Sequence, residues 1–291
     1  MEPSSIAFIT SKEVDQFRES GFVILQGAIS DEWILRLRDA LERIRLSPDS
    51  SDAVISAEDG NSYFVNAGNL CFRNESVFAE LMGSPMLLSI AEAICGPDFF
   101  PIQEFAVIKN RGDQSPVLWH QDVNNGQPGR TIMVGIYLDE ADENNGALRV
   151  IPGSHKSKES ICVLEKRQSV VVDMQPGDIL VHDLMVAHSS GVLESNPQRR
   201  VLYFEFMSSA QARQEKIYSR EFVELRTRLI PVAMKFFRNN HAEEEQFQWQ
   251  HPERARFSIS SDLESELKAI YEHNMHVRPA NYCFDFHSAR K

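Results

Sequence analysis

The stretch IQEFAVIK, residues 102–109, is where the chain changes from helical to β-type patterning. It is the first of several short runs rich in β-branched and aromatic residues. The later runs are 116–122, 132–138, 147–151, 169–174, 179–182 and 200–207. Turn sequences separate several of them, namely Asn144-Asn145-Gly146, Pro152-Gly153-Ser154 and Pro176-Gly177-Asp178. Many short strands at this density predict a β-sandwich or jelly roll.

Helical patterns flank this β-rich part on both sides. Capped apolar periodicities within 10–21, 30–41 and 78–94 predict helices in the first part of the chain. Residues 48–75 between them are polar and irregular, which predicts a loop. After residue 209, apolar residues again repeat every three or four positions, as in amphipathic helices. We predict one domain over 1–291, with a mainly helical part (1–100), a jelly-roll core (101–208) and a helical C-terminal extension (209–291).

The composition is typical of an ordinary globular protein and gives no indication of a positively charged surface for nucleic acid. The 291 residues are 42% hydrophobic and include 18 phenylalanines, which is enough for a substantial core. Acidic residues outnumber basic ones by 42 to 30, giving a formal net charge of -12. Because no long run of lysine or arginine offsets this charge, the chain lacks the positive surface that binds a phosphate backbone. Nucleic acid is therefore not expected as a partner.

The cysteines and the N-terminus favour a reducing compartment. Cys71, Cys95, Cys162 and Cys283 lie far apart and form neither a C-x-x-C pair nor the dense pattern of a secreted disulfide scaffold. The N-terminus has no basic stretch followed by an apolar run, and no segment approaches the roughly 20 apolar residues that span a bilayer. We expect a cytoplasmic protein with no membrane partner.

The segment Trp119-His120-Gln121-Asp122 contains a candidate pair of metal ligands. Successive side chains of a β-strand point to opposite faces, so His120 and Asp122 project to the same side. A His-x-Asp pair also arises by chance, and a single histidine near a strand end is more often a hydrogen-bonded structural residue. The pair therefore needs a third ligand from another part of the chain.

Two histidines compete for that third position. His188 lies beyond the predicted strand 179–182, and small residues on both sides of it leave room for a metal. His182 lies in the strand itself. Two imidazoles and one carboxylate form the facial triad that leaves adjacent positions open on Fe(II). We favour His120, Asp122 and His188 as metal ligands.

The open positions of such a triad suit a chelating cosubstrate. 2-Oxoglutarate binds through its keto oxygen and C1 carboxylate, and O2 takes the remaining position. The C5 carboxylate at the other end of the molecule then requires a cation. Arg199 or Arg200, at the start of the predicted strand 200–207, offers a bidentate guanidinium for it.

Further motifs carry a resemblance to a known family. In chain order they are Phe17-Arg18-Glu19-Ser20-Gly21-Phe22, Trp119-His120-Gln121-Asp122, Asn144-Asn145-Gly146-Ala147-Leu148, Ile151-Pro152-Gly153-Ser154-His155-Lys156, Pro176-Gly177-Asp178, and His188 with Arg199. Over about residues 10–210 the chain thus resembles the phytanoyl-CoA dioxygenase family of Fe(II)/2-oxoglutarate oxygenases. The resemblance implies a double-stranded β-helix core, cupin-like and mainly β, with flanking helices.

The resemblance also implies roles for individual residues. The triad would be the catalytic iron site, and Arg199 would bind the C5 carboxylate of 2-oxoglutarate. Gln103 and Thr131 occupy regions where the family contacts cosubstrate or substrate, but neither matches a fixed motif. A hydrogen-bonded polar residue at a strand end explains either of them equally well. The chain has no obvious basic cluster for a nucleotide 3'-phosphate, which argues against a substrate linked to coenzyme A.

The expected activity is oxidation of a small organic substrate with release of succinate and CO2, and a secondary metabolite is our hypothesis for the substrate. Asp122 stands where related halogenases have a small residue, which favours hydroxylation or another oxygen-dependent oxidation. One alternative is a cupin-like protein that binds a metal or ligand without turnover, or an isomerase of that fold. Arg199 opposes it, because a pure binding module needs no cation for a distal carboxylate. A second alternative is a demethylase acting on nucleic acid or protein. For a homodimer, we expect the C-terminal helices to supply the contact.

Overall fold

Two antiparallel β-sheets form the centre of the molecule, and helices cover the outer face of one of them. The structure is a computed structural model that describes residues 8–123, 126, 128–273 and 279–283. The predicted fold class, a jelly-roll core that is mainly β with flanking helices, is confirmed.

The bounds of the elements follow the chain. The strands in the described ranges are β1 (Phe22–Leu25), β2 (Ala53–Ser56), β3 (Ser62–Gly68), β4 (Phe99–Asn110), β5 (Val117–Gln121), β6 (Thr131–Tyr137), β7 (Leu148–Val150), β8 (Val170–Val172), β9 (Ile179–Asp183), β10 (His188–Ser190), β11 (Gln198–Ser208) and β12 (Asn281–Tyr282). The α-helices there are α1 (Ser11–Ser20), α2 (Asp31–Leu46), α3 (Ser76–Met82), α4 (Pro85–Cys95), α5 (Ile161–Leu164), α6 (Ser209–Glu215), α7 (Arg220–Asn240) and α8 (Leu263–Tyr271). Short 3-10 helices occur at Leu70–Phe72, Ser154–Lys156 and Arg254–Phe257.

The two sheets differ in size and in what they face. The larger has the strand order β1-β9-β6-β11-β4-β3-β2, and the smaller has the order β12-β5-β10-β7-β8. Along β11, Leu202 and Phe204 belong to the apolar layer under the helices, whereas Val201 and Tyr203 belong to the layer between the sheets. This alternation is the period of two expected of a strand buried on both faces. The larger sheet therefore has an inner face, which looks toward the smaller sheet.

The C-terminal helices are fixed to the outer face of the larger sheet by a buried ion pair. Arg226 of α7 donates to the carboxylate of Glu104 in β4 at 2.6 Å, and Tyr271 at the end of α8 donates to the same carboxylate.

Taken singly, none of the described helices is long and apolar enough to cross a membrane, whereas the bent pair Ser76–Met82 and Pro85–Cys95 passes that test by length and composition.

The prediction of a loop over 48–75 is wrong for residues 53–56 and 62–68. Ala53–Ser56 and Ser62–Gly68 form a hairpin, and Asn66 to Gly68 pair with β4 in the larger sheet. The hairpin lies at the edge of the sheet, and most of β2 is exposed. Polar side chains are tolerated at such an edge, so the apolar alternation that would reveal a strand is weak.

The cysteine spacing did not reveal that two of the four cysteines are paired. Cys162, in α5, and Cys283, just after β12, form a disulfide across a separation of 121 positions. Cys71 and Cys95 are buried thiols. Spacing along the chain does not report proximity in space, because the last described segment returns to the smaller sheet.

Candidate metal centre

The metal-ligand candidates lie on adjacent strands of the smaller sheet. β5 carries His120, and β10 begins at His188, which is the direct antiparallel partner of His120. Asp122 immediately follows β5, where its backbone N–H donates to the carbonyl oxygen of Leu184 at 2.9 Å. One strand pair and one adjoining turn thus bring the three side chains together.

The three side chains are close enough to bind a single ion. Nε2 of His120 lies 3.4 Å from Oδ1 of Asp122, and Nε2 of His188 lies 3.7 Å from the same oxygen. One ligand atom from each residue lies within 4.8 Å of the other two. Among the described residues, this is the one group of three or more histidine, cysteine and acidic side chains that could hold a metal ion.

Backbone carbonyls orient both imidazoles. Nδ1 of His120 lies 2.8 Å from the carbonyl oxygen of Leu118, and Nδ1 of His188 lies 3.0 Å from that of Val186. A carbonyl oxygen only accepts, so each Nδ1 carries a proton, and Nε2 is the nitrogen left to bind a metal in the neutral form of the ring. This tautomer directs the ligand nitrogens toward Asp122, as in metal sites whose histidines are held by outer hydrogen bonds.

Nearby charges keep the Asp122 carboxylate ionised, and burial together with the charge of His120 keeps the His188 imidazole neutral. Burial opposes ionisation of Asp122, but the imidazoles of His188 and His120 outweigh it and hold the pKa of Asp122 below its ordinary value. Burial and the nearby His120 lower the pKa of His188 to about 3. For His120, the hydrogen bond and charge of Asp122 outweigh burial and raise the pKa. A charged carboxylate beside a neutral imidazole is the protonation state that a divalent cation requires.

His182, the competing histidine, lies in the larger sheet. It is part of β9, opposite Met133 of β6. Its Nδ1 is 3.8 Å from Oδ2 of Asp122, but the same nitrogen is 3.3 Å from the carbonyl oxygen of Asp183. It does not belong to the group of three described above. The geometry therefore favours His188 over His182 as the third ligand.

The two adjacent arginines of β11 have different partners. Arg200 donates through Nε and Nη2 to the two carboxylate oxygens of Asp139 at 2.7 and 2.8 Å, so its guanidinium already holds a carboxylate. Arg199 is 1% exposed, and its guanidinium lies 5.9 Å from the centre of the Tyr137 ring. Its hydrogen-bond partner within the described ranges is the neutral carbonyl of Gly146, and its Nε has none there.

Lys109 is a second buried cation, which the sequence analysis missed. It lies on β4 directly opposite Arg199, and it is 3% exposed. Its Nζ donates to the carbonyl oxygen of Ser115 at 2.8 Å. Burial and the charge of Arg199 lower the pKa of Lys109 to about 8. The sequence did contain a signal for this residue. Lys109 continues the alternating row of Phe105 and Val107, and a lysine in an apolar row that faces the interior is uncommon.

Gln103 and Thr131 occupy strands of the larger sheet. Gln103, on the same alternating row of β4 as Lys109, donates to the carboxylate of Glu205 in β11 at 2.7 Å. Thr131 begins β6 and is 3% exposed, and its hydroxyl has no hydrogen-bond partner among the described residues. A purely structural role as a hydrogen-bonded polar residue therefore accounts for the Gln103 amide, but it leaves the Thr131 hydroxyl unexplained.

Unpaired polar atoms provide a test of whether iron and a keto acid fit these residues. Within the described part of the chain, buried atoms without a hydrogen-bond partner include Oδ2 of Asp122, Nε of Arg199, Oγ1 of Thr131 and the hydroxyl of Tyr137. Buried polar groups are normally hydrogen-bonded, so each such atom suits a polar guest. The carboxylate oxygen suits a cation and the guanidinium nitrogen suits an anion. The two imidazoles and the Asp122 carboxylate therefore suit a ferrous ion, and the Arg199 guanidinium suits the distal carboxylate of a keto acid.

Two histidines and one carboxylate that converge within a jelly roll are the ligand set typical of non-haem Fe(II) oxygenases. A family model supports this class over most of the β core. The chain belongs to the phytanoyl-CoA dioxygenase family, whose model matches residues 17–201.

Curated relatives of the chain are named as a dioxygenase or a hydroxylase. The chain is 26% identical to the ectoine dioxygenase of Streptomyces avermitilis over 161 residues, which is 53% of this chain and 55% of that protein. It is 30% identical to the L-proline trans-4-hydroxylase of Streptomyces griseoviridis over 146 residues, 48% of this chain and 53% of that protein. The chain thus spans about half the length of the curated relatives it matches.

Solved structures support the fold. The crystal structure of EctD from S. alaskensis with 2-oxoglutarate and 5-hydroxyectoine matches with a TM-score of 0.60 at 21% identity. The match covers 72% of this chain and 80% of that chain. Similarity at this level of identity establishes the shared jelly roll.

Proposed function

We propose that this protein is an Fe(II)- and 2-oxoglutarate-dependent dioxygenase that oxidises a small organic substrate and releases succinate and CO2. The observation that carries the proposal is the convergence of His120, Asp122 and His188, with one ligand atom of each within 4.8 Å of the others. Membership of a dioxygenase family over 17–201 supports it. When bound by these residues, iron would supply the activation of O2, which no side chain provides.

The protein's part in the proposed reaction begins with rigid metal ligands. The carbonyl oxygens of Leu118 and Val186 fix the rotation and tautomer of both imidazoles, so the site is arranged before the ion arrives. Asp122 would contribute negative charge that partly neutralises the bound cation. With iron bound, its carboxylate would take the coordination position that a halide needs, which supports oxygenation over halogenation.

Arg199 and Lys109 are the proposed partners of the C5 carboxylate. Two buried positive charges on paired strands repel one another, and a buried charge without a counter-ion is unfavourable. A dicarboxylate between them would add negative charge through charge-assisted hydrogen bonds. Thr131 and Gln103 remain proposed contacts of cosubstrate or substrate, with Thr131 the stronger because its hydroxyl is unsatisfied among the described residues.

The proposed substrate is a small molecule of secondary metabolism. The relatives named above are a dioxygenase of ectoine and a hydroxylase of L-proline, both small polar molecules. The formal net charge of -12 opposes a nucleic-acid substrate. The single-domain organisation and a homodimer through the C-terminal helices stay predictions, and sedimentation equilibrium would test the dimer.

The cytoplasm remains our proposal for the location, with no membrane partner. Thiol reductants keep most cytosolic cysteines reduced. In that compartment, Cys162 and Cys283 would therefore be thiols except under oxidising conditions. Quantifying alkylated cysteines in rapidly quenched cells would test this.

The test of the proposed function is anaerobic addition of Fe(II) and 2-oxoglutarate to the metal-free protein. A keto acid chelated to Fe(II) gives a weak visible charge-transfer band, so we expect this band in the parent. His120→Ala and His188→Ala should abolish it, because each removes a ligand. His182→Ala is the matched control and should retain most of the band.

Three outcomes would revise the proposal. A folded parent that gives no band would contradict the metal and cosubstrate assignment together. Loss of the band in His182→Ala, with retention in His188→Ala, would make His182 the third ligand. A band without succinate formation across a broad substrate screen would favour the cupin-like binding protein.

A further inference from the structure

The strand that carries His120 has neighbours on both sides. On one side it pairs with β10, and on the other with β12, where Asn281 lies opposite Gln121 and Tyr282 lies opposite His120. The backbone N–H of Cys283 donates to the carbonyl oxygen of Trp119 at 3.2 Å, and the side chain of Asn281 donates to that of Gln121 at 3.3 Å. Without β12, β5 would be an edge strand, and edge strands are less firmly held.

Tyr282 lies directly on a candidate metal ligand. Its ring is stacked on the imidazole of His120, with centroids 4.9 Å apart and an angle of 11° between the planes. The Tyr282 side chain thus covers the imidazole while His188 is on the neighbouring strand, 4.2 Å away from His120 between ring centroids. Together with the Leu118 hydrogen bond, this stack restricts the rotation of the imidazole.

The disulfide ties this segment to a different part of the fold. Cys283 follows Tyr282 directly and is bonded to Cys162 of α5. Both cysteines pack on the apolar cluster that contains Ile161 and Leu164. A two-residue strand makes few hydrogen bonds of its own, so its occupancy beside β5 depends on a tether that keeps it close.

We propose that residues 279–283 form a redox-sensitive strap in which Tyr282 positions His120 for metal binding and the Cys162–Cys283 disulfide holds Tyr282 in place. The inference rests on the proposed function, since it assumes that His120 is a metal ligand. Tyr282 acts through His120, so it is a positioning residue. Reduction of the disulfide should release the strap, return β5 to the sheet edge and weaken metal binding without removing any ligand.

The redox step is a simple two-electron reduction. A phosphine attacks one sulfur, the S–S bond breaks, and hydrolysis gives two thiols and the phosphine oxide, with one water consumed. In a cell, a dithiol would supply the same two electrons and two protons and would itself become a disulfide. Cys71 and Cys95 are buried, so alkylation of the native protein after reduction would report chiefly on Cys162 and Cys283.

The first arm of the test measures the dissociation constant of Co(II) from its visible d–d absorption, without 2-oxoglutarate. Tyr282→Ala should weaken Co(II) binding roughly two- to tenfold, as expected for loss of one aromatic stack. Tyr282→Phe keeps the ring and should bind as the parent does. Trp33→Ala is the matched control, because it removes a ring stacked on a different imidazole, that of His241, at 5.1 Å.

The second arm tests the tether with the same measurement. The parent, reduced with a phosphine and desalted anaerobically, should bind Co(II) as weakly as the Cys162→Ser/Cys283→Ser double variant, on which the reductant should have no effect. Equal affinity of oxidised and reduced parent would overturn the redox part of the proposal.

Two results separate this inference from the proposed function. If the parent binds Co(II) and Tyr282→Ala binds it equally well, or if Trp33→Ala weakens binding as much as Tyr282→Ala, the positioning role of Tyr282 is wrong and the metal site stands. If the parent binds no Co(II), the metal assignment is wrong, and the inference is wrong with it.

Discussion

At the scale of single residues, the informative feature is a pair of buried cations, Arg199 and Lys109, on directly paired positions of two strands. Arg199 is bonded to a neutral carbonyl in the described ranges, and Lys109 opposite it has a lowered pKa. Folded proteins rarely bury charge in this way unless a ligand completes the pairing. The two residues therefore make separate predictions about cosubstrate binding.

We predict that Arg199→Ala weakens the apparent affinity for 2-oxoglutarate. The loss should be on the order of 2–5 kcal/mol, or roughly thirtyfold to several-thousandfold, because the C5 carboxylate loses its planar, two-pronged donor. Succinate formation against 2-oxoglutarate concentration would measure it. Arg200→Ala is the control, since the guanidinium of Arg200 is held by Asp139. A large loss of apparent 2-oxoglutarate affinity in Arg200→Ala alone would assign binding of the C5 carboxylate to Arg200.

We predict that 2-oxoglutarate binding weakens above pH 8 because of Lys109. Burial and Arg199 lower the pKa of Lys109 to about 8 in the ligand-free protein. A bound dianion favours the charged lysine, so affinity is complete below this pH and falls above it, by up to about tenfold per pH unit. Titration calorimetry between pH 7 and 9.5 would follow this decline. Lys109→Met should bind 2-oxoglutarate more weakly and with little pH dependence. If the affinity of the parent and of Lys109→Met declined equally with pH, Lys109 would not be the group that titrates.

At the scale of elements, the outer face of the larger sheet depends on how α7 is attached to β4. The Arg226 and Glu104 side chains are 2% and 0% exposed, and the end of α8 bonds to the same carboxylate. An ion pair buried this completely adds little over an apolar pair, but removing one partner leaves the other charged and desolvated. The attachment should therefore be sensitive to loss of either side chain.

Arg226→Ala should lower the free energy of unfolding by about 3–5 kcal/mol, because it leaves the Glu104 carboxylate buried without its cation. Urea denaturation followed by circular dichroism would measure the change. Arg220→Ala is a matched control on the same helix, since the Arg220 side chain is 81% exposed in its pair with Glu224, and surface pairs contribute about 0–1 kcal/mol. Equal losses of unfolding free energy in both variants would show that the buried pair stabilises the protein no more than the surface pair does.

At the scale of the whole molecule, metal binding should be linked to global stability. The proposed ligands join β5, β10 and the turn after β5, so an ion that binds the folded state alone should raise the melting temperature by mass action. Mn(II) at about one hundred times its dissociation constant adds about 2.7 kcal/mol, or roughly 5 °C for a chain of this size. Differential scanning calorimetry with Mn(II), and again after chelator, would test it.

The controls for this linkage are variants compared with their own metal-free forms. Asp122→Ala should show little shift with Mn(II), because one ligand is missing, whereas His182→Ala should keep most of it. A shift of the parent's size in Asp122→Ala would mean that the ion binds elsewhere on the acidic surface.

The sequence by itself determined the β core, its helical flanks and the pairing of His120 with Asp122, because these depend on local periodicity and on the two-residue repeat of a strand. Only the tertiary structure decided which distant segments meet. It places His188 beside His120 through strand pairing, directs the Arg200 guanidinium to Asp139, and sets Lys109 opposite Arg199. Such contacts arise from the sheet register between residues far apart in the chain, which no local pattern encodes. For the same reason the edge hairpin within 48–75 and the disulfide between Cys162 and Cys283 could not be derived from the sequence.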